Sequence, residues 1–241
     1  RECTGANLMS KQTDLINVTD AITVDGSNNV GIGTSSPSSY ASTTLEIKGS
    51  STTSDIKMTN TTTGVGDAAG YDLELNGNDI NYVNRTAGGN QKFWTNSTER
   101  MRIDAAGRVT TPYQPAFNVK WATSSSTAPV GIDTVAFSQV ITNVGSHYNS
   151  STGRFTAPVS GFYQFNLSMY FQNGTNYVGS MLQKSDGVVY YSFSSIGSDV
   201  MFYTSQAVYL NQNDYVFTRT YCGGSTTALR QYSHFSGYLI G

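Results

Sequence analysis

The chain has 241 residues, with 14 lysines and arginines against 16 aspartates and glutamates and a formal net charge of −2 at pH 7. This near-neutral charge, without a basic cluster, excludes a nucleic-acid partner, because such a surface needs Lys and Arg along the phosphates. No apolar run approaches the roughly 20 residues of a membrane-spanning helix, so no membrane insertion is expected. Cys3 and Cys222 lie in dissimilar halves and suggest no disulfide framework, which favours folding in a reducing cytoplasm.

The two halves of the chain differ in composition. Residues 112–241 hold 13 of the 16 tyrosines and 10 of the 11 phenylalanines but only 9 of the 30 charged residues. This half can fill a core of its own. Residues 1–111 are rich in Thr, Ser, Asn, Gly and Asp, and one copy would bury too little apolar surface to offset the ~1–2 kcal/mol lost per ordered residue. We expect this half to be either a flexible linker or a segment that other chains order.

The chain is predicted to be all-β, because no window shows an apolar period of 3.6 residues; the first dozen residues are the one weak helix candidate. Within the first half, residues 22–30 align without gaps on residues 101–109, which lie 79 positions later. Each segment is a strand, an Asp-led turn and a second strand. This pattern predicts a β-hairpin in which Asp25 or Asp104 accepts backbone N–H bonds of the turn.

Two stretches of the first half resemble the shaft modules of phage tail fibres. Residues 28–49 are NNVGIGTSSPSSYASTTLEIKG, and residues 96–110 are NSTERMRIDAAGRVT. The resemblance covers residues 20–111 and implies a narrow trimeric β shaft, in which equivalent residues of three chains form the core layer by layer. Residues 1–19 are then an N-terminal connector that contacts other phage tail proteins.

The clearest strand signal lies in the second half. Tyr163, Phe165, Leu167 and Met169 alternate with polar residues. A period of two sustained over this length predicts a strand with one buried and one exposed face. A polar turn and a corner containing Pro158 precede it.

The run from Tyr148 to Phe165, written Y-x-x-x-TG-x-F-x-x-P-x-x-G-x-Y-x-F, resembles the globular head of the complement-1q family. Residues 115–119, 137–143, 206–216 and 235–240 match other strands of that head, which extends the resemblance over residues 112–241. Asn213 stands where the family usually has Gly, and we expect the turn to be kept because Asn tolerates the left-handed conformation. The resemblance implies a homotrimeric jelly-roll β-sandwich, with core or trimer contacts from Phe117, Val119, Tyr163, Phe165, Phe217 and Tyr238.

In a jelly roll of this kind both termini lie at the shaft end, so alternate loops reach the far tip. The expected tip loops are residues 172–176, 194–199 and 222–233. They are built from Gly, Ser, Thr, Asn and Tyr, the adaptable mixture found in binding loops. The candidate receptor-binding residues in and beside them are Asn173, Thr175, Asn176, Tyr177, Tyr190, Tyr191, Ser198, Thr226, Arg230 and Tyr232.

No catalytic constellation emerges from the sequence. His147 and His234 fall near different strand ends in the family resembled, and the head aspartates are scattered, so we expect no enzyme and no cofactor. Relatives of the head hold calcium near the outer end of the trimer. Asp186 and Asp199 are the candidates for such a site, although isolated loop aspartates are more often turn acceptors.

These observations predict a structural and receptor-binding protein of a phage tail fibre, which recognises a host-surface glycan or protein. Its expected location is the virion, after synthesis in the host cytoplasm. A polysaccharide depolymerase is one alternative, and a cleft with two close acids would favour it. A bacterial surface or spore-coat adhesin with the same head is another, which an export signal or an anchoring motif would favour.

Overall fold

The computed structural model of the protein describes residues 22–37, 45–49, 52–64, 66–122, 126–127, 131–172, 177–194, 199–223 and 228–241, with the backbone alone at 126–127, 191–194 and 228. The chain divides into two compact units, Arg1–Thr110 and Thr111–Gly241. Every regular element in the described ranges is a β-strand and none is a helix, which confirms the all-β prediction. The first dozen residues, the weak helix candidate, lie outside those ranges.

In its described residues, the first unit contains three small sheets of three strands each. Its strands are β1 (Ile22–Val24), β2 (Val30–Ile32), β3 (Leu45–Ile47), β4 (Thr53–Met58), β5 (Tyr71–Asn76), β6 (Asp79–Asn84), β7 (Gln91–Thr95), β8 (Thr98–Ile103) and β9 (Val109–Thr110). The sheets follow the chain in the orders β1-β2-β3, β4-β5-β6 and β7-β8-β9. Neighbouring strands are antiparallel except β2 and β3, which are parallel.

The two repeated segments form the same turn. Asp25 Oδ1 accepts N–H bonds from Ser27 at 2.8 Å and from Asn29 at 2.9 Å. Asp104 Oδ1 accepts N–H bonds from the residues two and four positions later, at 2.9 and 3.0 Å. These bonds confirm the predicted Asp-led hairpins, since each carboxylate satisfies backbone donors that the tight turn leaves without a ladder partner.

The described part of the second unit, which we call the head, consists of two sheets. Its strands are β10 (Ala116–Lys120), β11 (Ser126–Thr127), β12 (Gly131–Val135), β13 (Gln139–Val144), β14 (Tyr148–Asn149), β15 (Arg154–Thr156), β16 (Gly161–Gln172), β17 (Val178–Lys184), β18 (Val189–Ser194), β19 (Asp199–Leu210), β20 (Tyr215–Cys222), β21 (Ala228–Leu229) and β22 (His234–Leu239). The seven-stranded sheet has the order β11-β21-β16-β22-β10-β13, with β19 beside β16. The six-stranded sheet has the order β14-β15-β20-β17-β18, with β12 beside β20.

Strand β16 confirms the alternation read from the sequence. Tyr163, Phe165, Leu167 and Met169 are all buried in the core, and the residues between them are half-buried or exposed. It is a central strand of the seven-stranded sheet, because it pairs with β19 along its whole length on one side and with β22 and β21 on the other.

Aromatic rings join the two sheets of the head. Phe117 of the seven-stranded sheet stacks on Tyr148 and Phe155 of the six-stranded sheet, with ring centroids 5.1 and 4.9 Å apart. It also meets Phe235 of its own sheet edge-on at 4.8 Å. Aromatic pairs of this kind add about 0.5–1.5 kcal/mol each beyond the burial of their area, so the cluster stabilises the sandwich at its centre.

The turn before β20 keeps the predicted backbone conformation. Asn213 has a φ of 71°, in the left-handed region, as expected for an Asn in place of the family's Gly. Its N–H donates to Ala157 O at 2.8 Å, and Ala157 N–H donates to Asp214 O at 2.8 Å. The turn is therefore fixed to the segment that precedes β16.

Gly237 in β22 allows the aromatic cluster to close. A Cβ at this position would lie 2.6 Å from Phe165 Cδ1 and 2.8 Å from Phe117 Cε1. We expect Gly237→Ala to destabilise the head by about 1–3 kcal/mol, because the rings must leave their packed positions. Urea unfolding measures the change, and Gly241→Ala, where an added Cβ meets nothing within 4 Å, is the matched control. Equal unfolding midpoints for the two variants would contradict this account of the core.

Candidate binding site

The direction of β16 defines two ends of the head. At its start, Phe162 N–H donates to Gly241 O at 2.9 Å, and Leu239 N–H donates to Pro115 O at 3.0 Å, so both ends of the unit lie there. We call this end the base. The other end of β16 is Gln172, about 36 Å away at 3.3 Å per residue. We call that end the far end.

Five polar or aromatic side chains come together at the far end. Arg230 donates a hydrogen bond from its guanidinium group to Gln172 Oε1. The rings of Tyr170 and Tyr232 meet edge-on, with centroids 5.8 Å apart. Asp199 is the register partner of Gln172 in the neighbouring strand. We call these five residues the far-end cluster.

Backbone hydrogen bonds hold the cluster in position. Arg230 N–H donates to Tyr170 O at 3.0 Å, and Ser233 N–H donates to Arg230 O at 3.0 Å. Tyr170 N–H in turn donates to Ser233 Oγ at 2.9 Å, and the Ser233 side chain is buried. The turn that carries Arg230 and Tyr232 is therefore tied to the central strand, which lowers the entropic cost of presenting these side chains to a ligand.

The electrostatics of the cluster favour a neutral Tyr170. Loss of solvent around the hydroxyl raises the pKa of Tyr170 above its ordinary value, and a hydrogen bond and the negative charge of Asp199 raise it further, while Arg230 acts in the opposite direction. A phenol, a carboxylate, an amide and a guanidinium group thus share one surface, beside the exposed ring of Tyr232. Such a set offers donors, acceptors and a stacking face to a polar ligand.

The structure brings three of the residues predicted from the sequence to the far end. Arg230 and Tyr232 belong to the cluster, and the exposed Tyr177 precedes β17, where its carbonyl accepts a bond from Gly223 N–H at 2.9 Å. The predicted residues that lie outside the described ranges are Asn173, Thr175, Asn176, Ser198 and Thr226.

Two predicted tip tyrosines belong to β18 and not to a loop. Tyr190 is half-buried and packs against the core, where it pairs with Leu182 near the turn that leads into β18. Its place in the binding set is corrected for this reason, because a ring packed on the core offers little surface to a ligand. The backbone of Tyr191 continues the same strand, and its side chain lies outside the described part of the structure.

The residues predicted for the core or the trimer divide into two groups. Phe117, Val119, Tyr163 and Phe165 are buried in the core of the head. Phe217 and Tyr238 are not part of that core. Phe217 lies half-buried on the outer face of the six-stranded sheet, with the Arg154 guanidinium 5.9 Å from its ring centroid. Tyr238 lies exposed on the outer face of the other sheet, so its predicted trimer contact stays a prediction.

Two of the head aspartates, Asp186 and Asp214, share one lysine. Lys184 Nζ lies 3.0 Å from Asp186 Oδ2 and 3.5 Å from Asp214 Oδ2. The hydrogen bond from Lys184 lowers the pKa of Asp186, and backbone hydrogen bonding, chiefly from Asn211, lowers that of Asp214. A general acid in glycoside cleavage needs a raised pKa, so these lowered values favour a structural ion pair over an acid catalyst.

Asp186, a calcium candidate, is a turn acceptor, since it takes an N–H bond from Val188 at 3.1 Å. The other candidate, Asp199, belongs to the far-end cluster. Within the described ranges, no three His, Cys, Asp or Glu side chains come together as a metal site would require. None of the described elements is a helix long and apolar enough to cross a membrane.

Sequence reasoning missed Tyr170 as a member of the cluster, and it placed Gln172 in a tip loop without naming it as a candidate binding residue. The alternation of β16 carries the signal for both, because it points Met169 and Phe171 inward and therefore Tyr170 and Gln172 outward at the far end. The pairing of Arg230 with Gln172 had no such signal, since 58 residues separate them.

The architecture defines the class of protein. Two antiparallel sheets packed through one aromatic core, with both ends of the unit at the base, form a jelly-roll β-sandwich. Residues 116–240 match the family model described as the C1q domain. The chain therefore belongs to the C1q domain family.

Two similar proteins are the complement C1q tumor necrosis factor-related protein 3 of mouse and of human. Each is 33% identical over 129 residues, which are 53% of this chain and 51% of the relative. The chain thus matches about half the length of these relatives. Among solved structures, the globular domain of zebrafish complement 1qA protein matches with 20% identity and a TM-score of 0.44, over 53% of this chain and 98% of that chain. Murine APRIL at pH 5.0 matches with 12% identity and a TM-score of 0.42, over 53% and 99%.

These relatives bear on the predicted location, identity and partners of the protein. The expected location in a virion is wrong, because the matched relatives are proteins of mouse and human and not components of a virus particle. The comparisons also give no support to the tail-fibre identity or to phage tail proteins as partners. The tail-fibre resemblance rests on repetitive turn residues of the first unit, whereas the family match covers the head alone.

The contact between Tyr170 and Asp199 can be tested by titration. We expect Asp199→Asn to lower the pKa of Tyr170 toward its ordinary value of 10.0, because the negative charge that disfavours the phenolate is removed. Titration of ¹³C-labelled tyrosine by NMR measures the shift. Asp133→Asn, on β12 of the other sheet, is the control and should leave Tyr170 unchanged. An unchanged Tyr170 in Asp199→Asn would mean that the two side chains do not interact.

Proposed function

We propose that this protein is a homotrimeric binding protein and not an enzyme, in which a C1q-type head is carried on a β-rich stalk. The stalk would comprise residues 20–111, the head residues 112–241, and residues 1–19 a connector. The far end of the head would recognise a glycan or protein on a surface. The observation that carries the proposal is the far-end cluster, which lies at the end of a C1q domain opposite to the base.

The outer face of the seven-stranded sheet supports a trimer of heads. At the base this face exposes Phe162, Tyr209, Tyr238 and Ile240. The Phe162 and Tyr209 rings meet edge-on at 5.3 Å. A patch of four large apolar side chains on one face is typical of a protein interface, and Tyr238 is one of the residues for which the family resemblance implies a core or trimer contact.

A trimer would also allow each head to bind its ligand only weakly. Each head would present one far-end cluster, and the three clusters of one molecule would point the same way. Linked binding events raise the apparent affinity without any new contact, so modest hydrogen bonding and stacking at each site suffice. The cluster combines an adaptable polar set with an exposed aromatic ring, as binding surfaces do.

The proposed trimer interface can be tested by introducing one charged residue into it. We expect Phe162→Asp in the full chain to lower the trimeric fraction measured by light scattering, because three carboxylates would be forced into an apolar contact. Ile132→Asp is the matched control, since Ile132 is equally half-exposed but lies on the six-stranded sheet. Trimers that survive Phe162→Asp as well as they survive Ile132→Asp would contradict this interface.

The binding role can be tested at Tyr232. On an array of surface glycans, we expect Tyr232→Ala to weaken retention of the full chain by about tenfold or more, the loss expected for a central aromatic contact. Tyr113→Ala is the control, because both tyrosines are 59% exposed but Tyr113 lies in the segment that leads into the base. If both variants are retained like the unmodified chain, the far-end cluster does not bind glycans.

A further inference from the structure

The outer face of the six-stranded sheet carries a row of aromatic and arginine side chains. Along β20, buried residues alternate with half-buried residues that point outward. The outward residues are Tyr215, Phe217, Arg219 and Tyr221. Arg154 of β15 is the register partner of Phe217 and shares this face. We call these five residues the Arg–aromatic row.

Arg154 lies over the aromatic part of the row. Its Cζ is 4.2 Å from the ring centroid of Tyr215 and 5.9 Å from that of Phe217, and the two rings are 6.0 Å apart. A guanidinium group over a ring keeps its positive charge and its five N–H donors, because the attraction is to the face of the ring. The side chain is also exposed, so these donors can reach a ligand in solution.

Arg219 has hydrogen-bonding capacity that the chain does not use. Its Nη1 donates to Gln183 Oε1 at 3.0 Å. Its Nε is buried and has no hydrogen-bond partner among the described residues. A buried donor on a charged side chain is costly to leave unpaired. Stacking on rings accounts for the position of Arg154, but it does not account for this unused donor.

Neither arginine of the row forms an ion pair within the described ranges. In the same sheet, Asp186 and Asp214 are both in contact with Lys184. Asp133 of β12 is the register partner of Thr220, whose side chain is buried, so it does not share the face of the row. The two positive charges of the row are therefore left without a negative partner on their face.

The spacing of the two arginines suits an extended anion. Arg154 is opposite Phe217, and Arg219 follows two residues later on the same face. Diagonal neighbours of this kind on paired strands lie about 7–8 Å apart. Two uncompensated charges at this distance repel each other, so a ligand that carries a negative charge to each arginine relieves the repulsion.

The strand pairing and the number of charges select the class of ligand. Both edges of β20 are paired, with β17 on one side and with β12 and β15 on the other, so a peptide cannot add there as a further strand. A nucleic acid would need many more cations than two. A polysaccharide in which acidic and neutral sugars alternate offers separated carboxylates to the guanidinium groups and sugar rings to the aromatic side chains.

We propose that the Arg–aromatic row is a further binding site of the head, for an acidic polysaccharide whose uronic-acid carboxylates bind Arg154 and Arg219. Tyr215 and Phe217 would contact the sugar rings beside the carboxylates. The site is separate from the proposed far-end site and trimer interface, because both of those belong to the seven-stranded sheet. Binding depends on charge, so it weakens as the salt concentration rises.

Binding of a fluorescent hyaluronan decasaccharide to the full chain tests the proposal. Hyaluronan alternates a uronic acid with an uncharged sugar, and a neutral dextran of similar size is the reference ligand. We expect Arg219→Gln to weaken hyaluronan binding by about tenfold or more, because a charge-assisted hydrogen bond is lost. Lys120→Gln is the matched control, since it removes the same charge from a half-buried position on the other sheet and should leave binding unchanged.

A second pair of variants keeps both arginines in place and applies if Arg219→Gln does not fold. Thr134 of β12 is the register partner of Arg219, so Thr134→Asp would put a carboxylate beside the guanidinium group and compete with the ligand. Thr142→Asp is the control, because Thr142 is also exposed but lies on β13 of the other sheet. We expect only Thr134→Asp to weaken hyaluronan binding.

The outcomes separate this site from the far-end cluster. We expect Tyr232→Ala to bind hyaluronan like the unmodified chain. Loss of hyaluronan binding in Tyr232→Ala but not in Arg219→Gln would overturn this inference and support the far-end site instead. The inference is also overturned if hyaluronan does not bind, if dextran binds equally well, or if poly-glutamate competes as effectively as unlabelled hyaluronan, which would indicate an acidic protein as the ligand.

Discussion

The head is held together by aromatic contacts between its two sheets, chief among them the stack of Phe117 on Tyr148 and Phe155. A β-sheet can exclude water from one face only if another apolar layer covers it. Phe117 supplies that contact at the centre of the sandwich and also touches Phe235, its neighbour in the same sheet. Because this core holds β16 and β22 in place, it also fixes the positions of their outward-facing residues at the base and at the far end.

Apolar and polar residues also alternate in the first unit, but there the apolar side chains are the exposed ones. In β16 the apolar residues face a core within the chain, whereas in β5 they face solvent and the acids lie covered by Arg85. One rule of strand geometry thus describes both units, with the apolar residues buried in β16 and exposed in β5.

Much of the fold could be predicted from the sequence where local chemistry dictates it. The alternation at Tyr163 to Met169 indicated the buried face of β16, the aspartates of the repeat indicated two hairpins, and Asn213 indicated a left-handed turn. The candidate site was less predictable, because it depends on strand register. Nothing near Arg230 in sequence indicates its contact with Gln172, and nothing near Tyr190 shows that its ring packs on the core. The virion location was wrong because it was inferred from the turn motifs of the first unit, whereas the relatives that match this chain are proteins of mouse and human.

The mass in solution of residues 112–241, measured by light scattering beside the full chain, tests the central claim most directly. We expect three times the mass of the respective chain for both samples, 26.0 kDa being the mass of one full chain. This result would mean that the head forms a trimer by itself, without the first unit. A monomeric 112–241 fragment beside a trimeric full chain would contradict this claim, because assembly would then be driven by the first unit and not by the head.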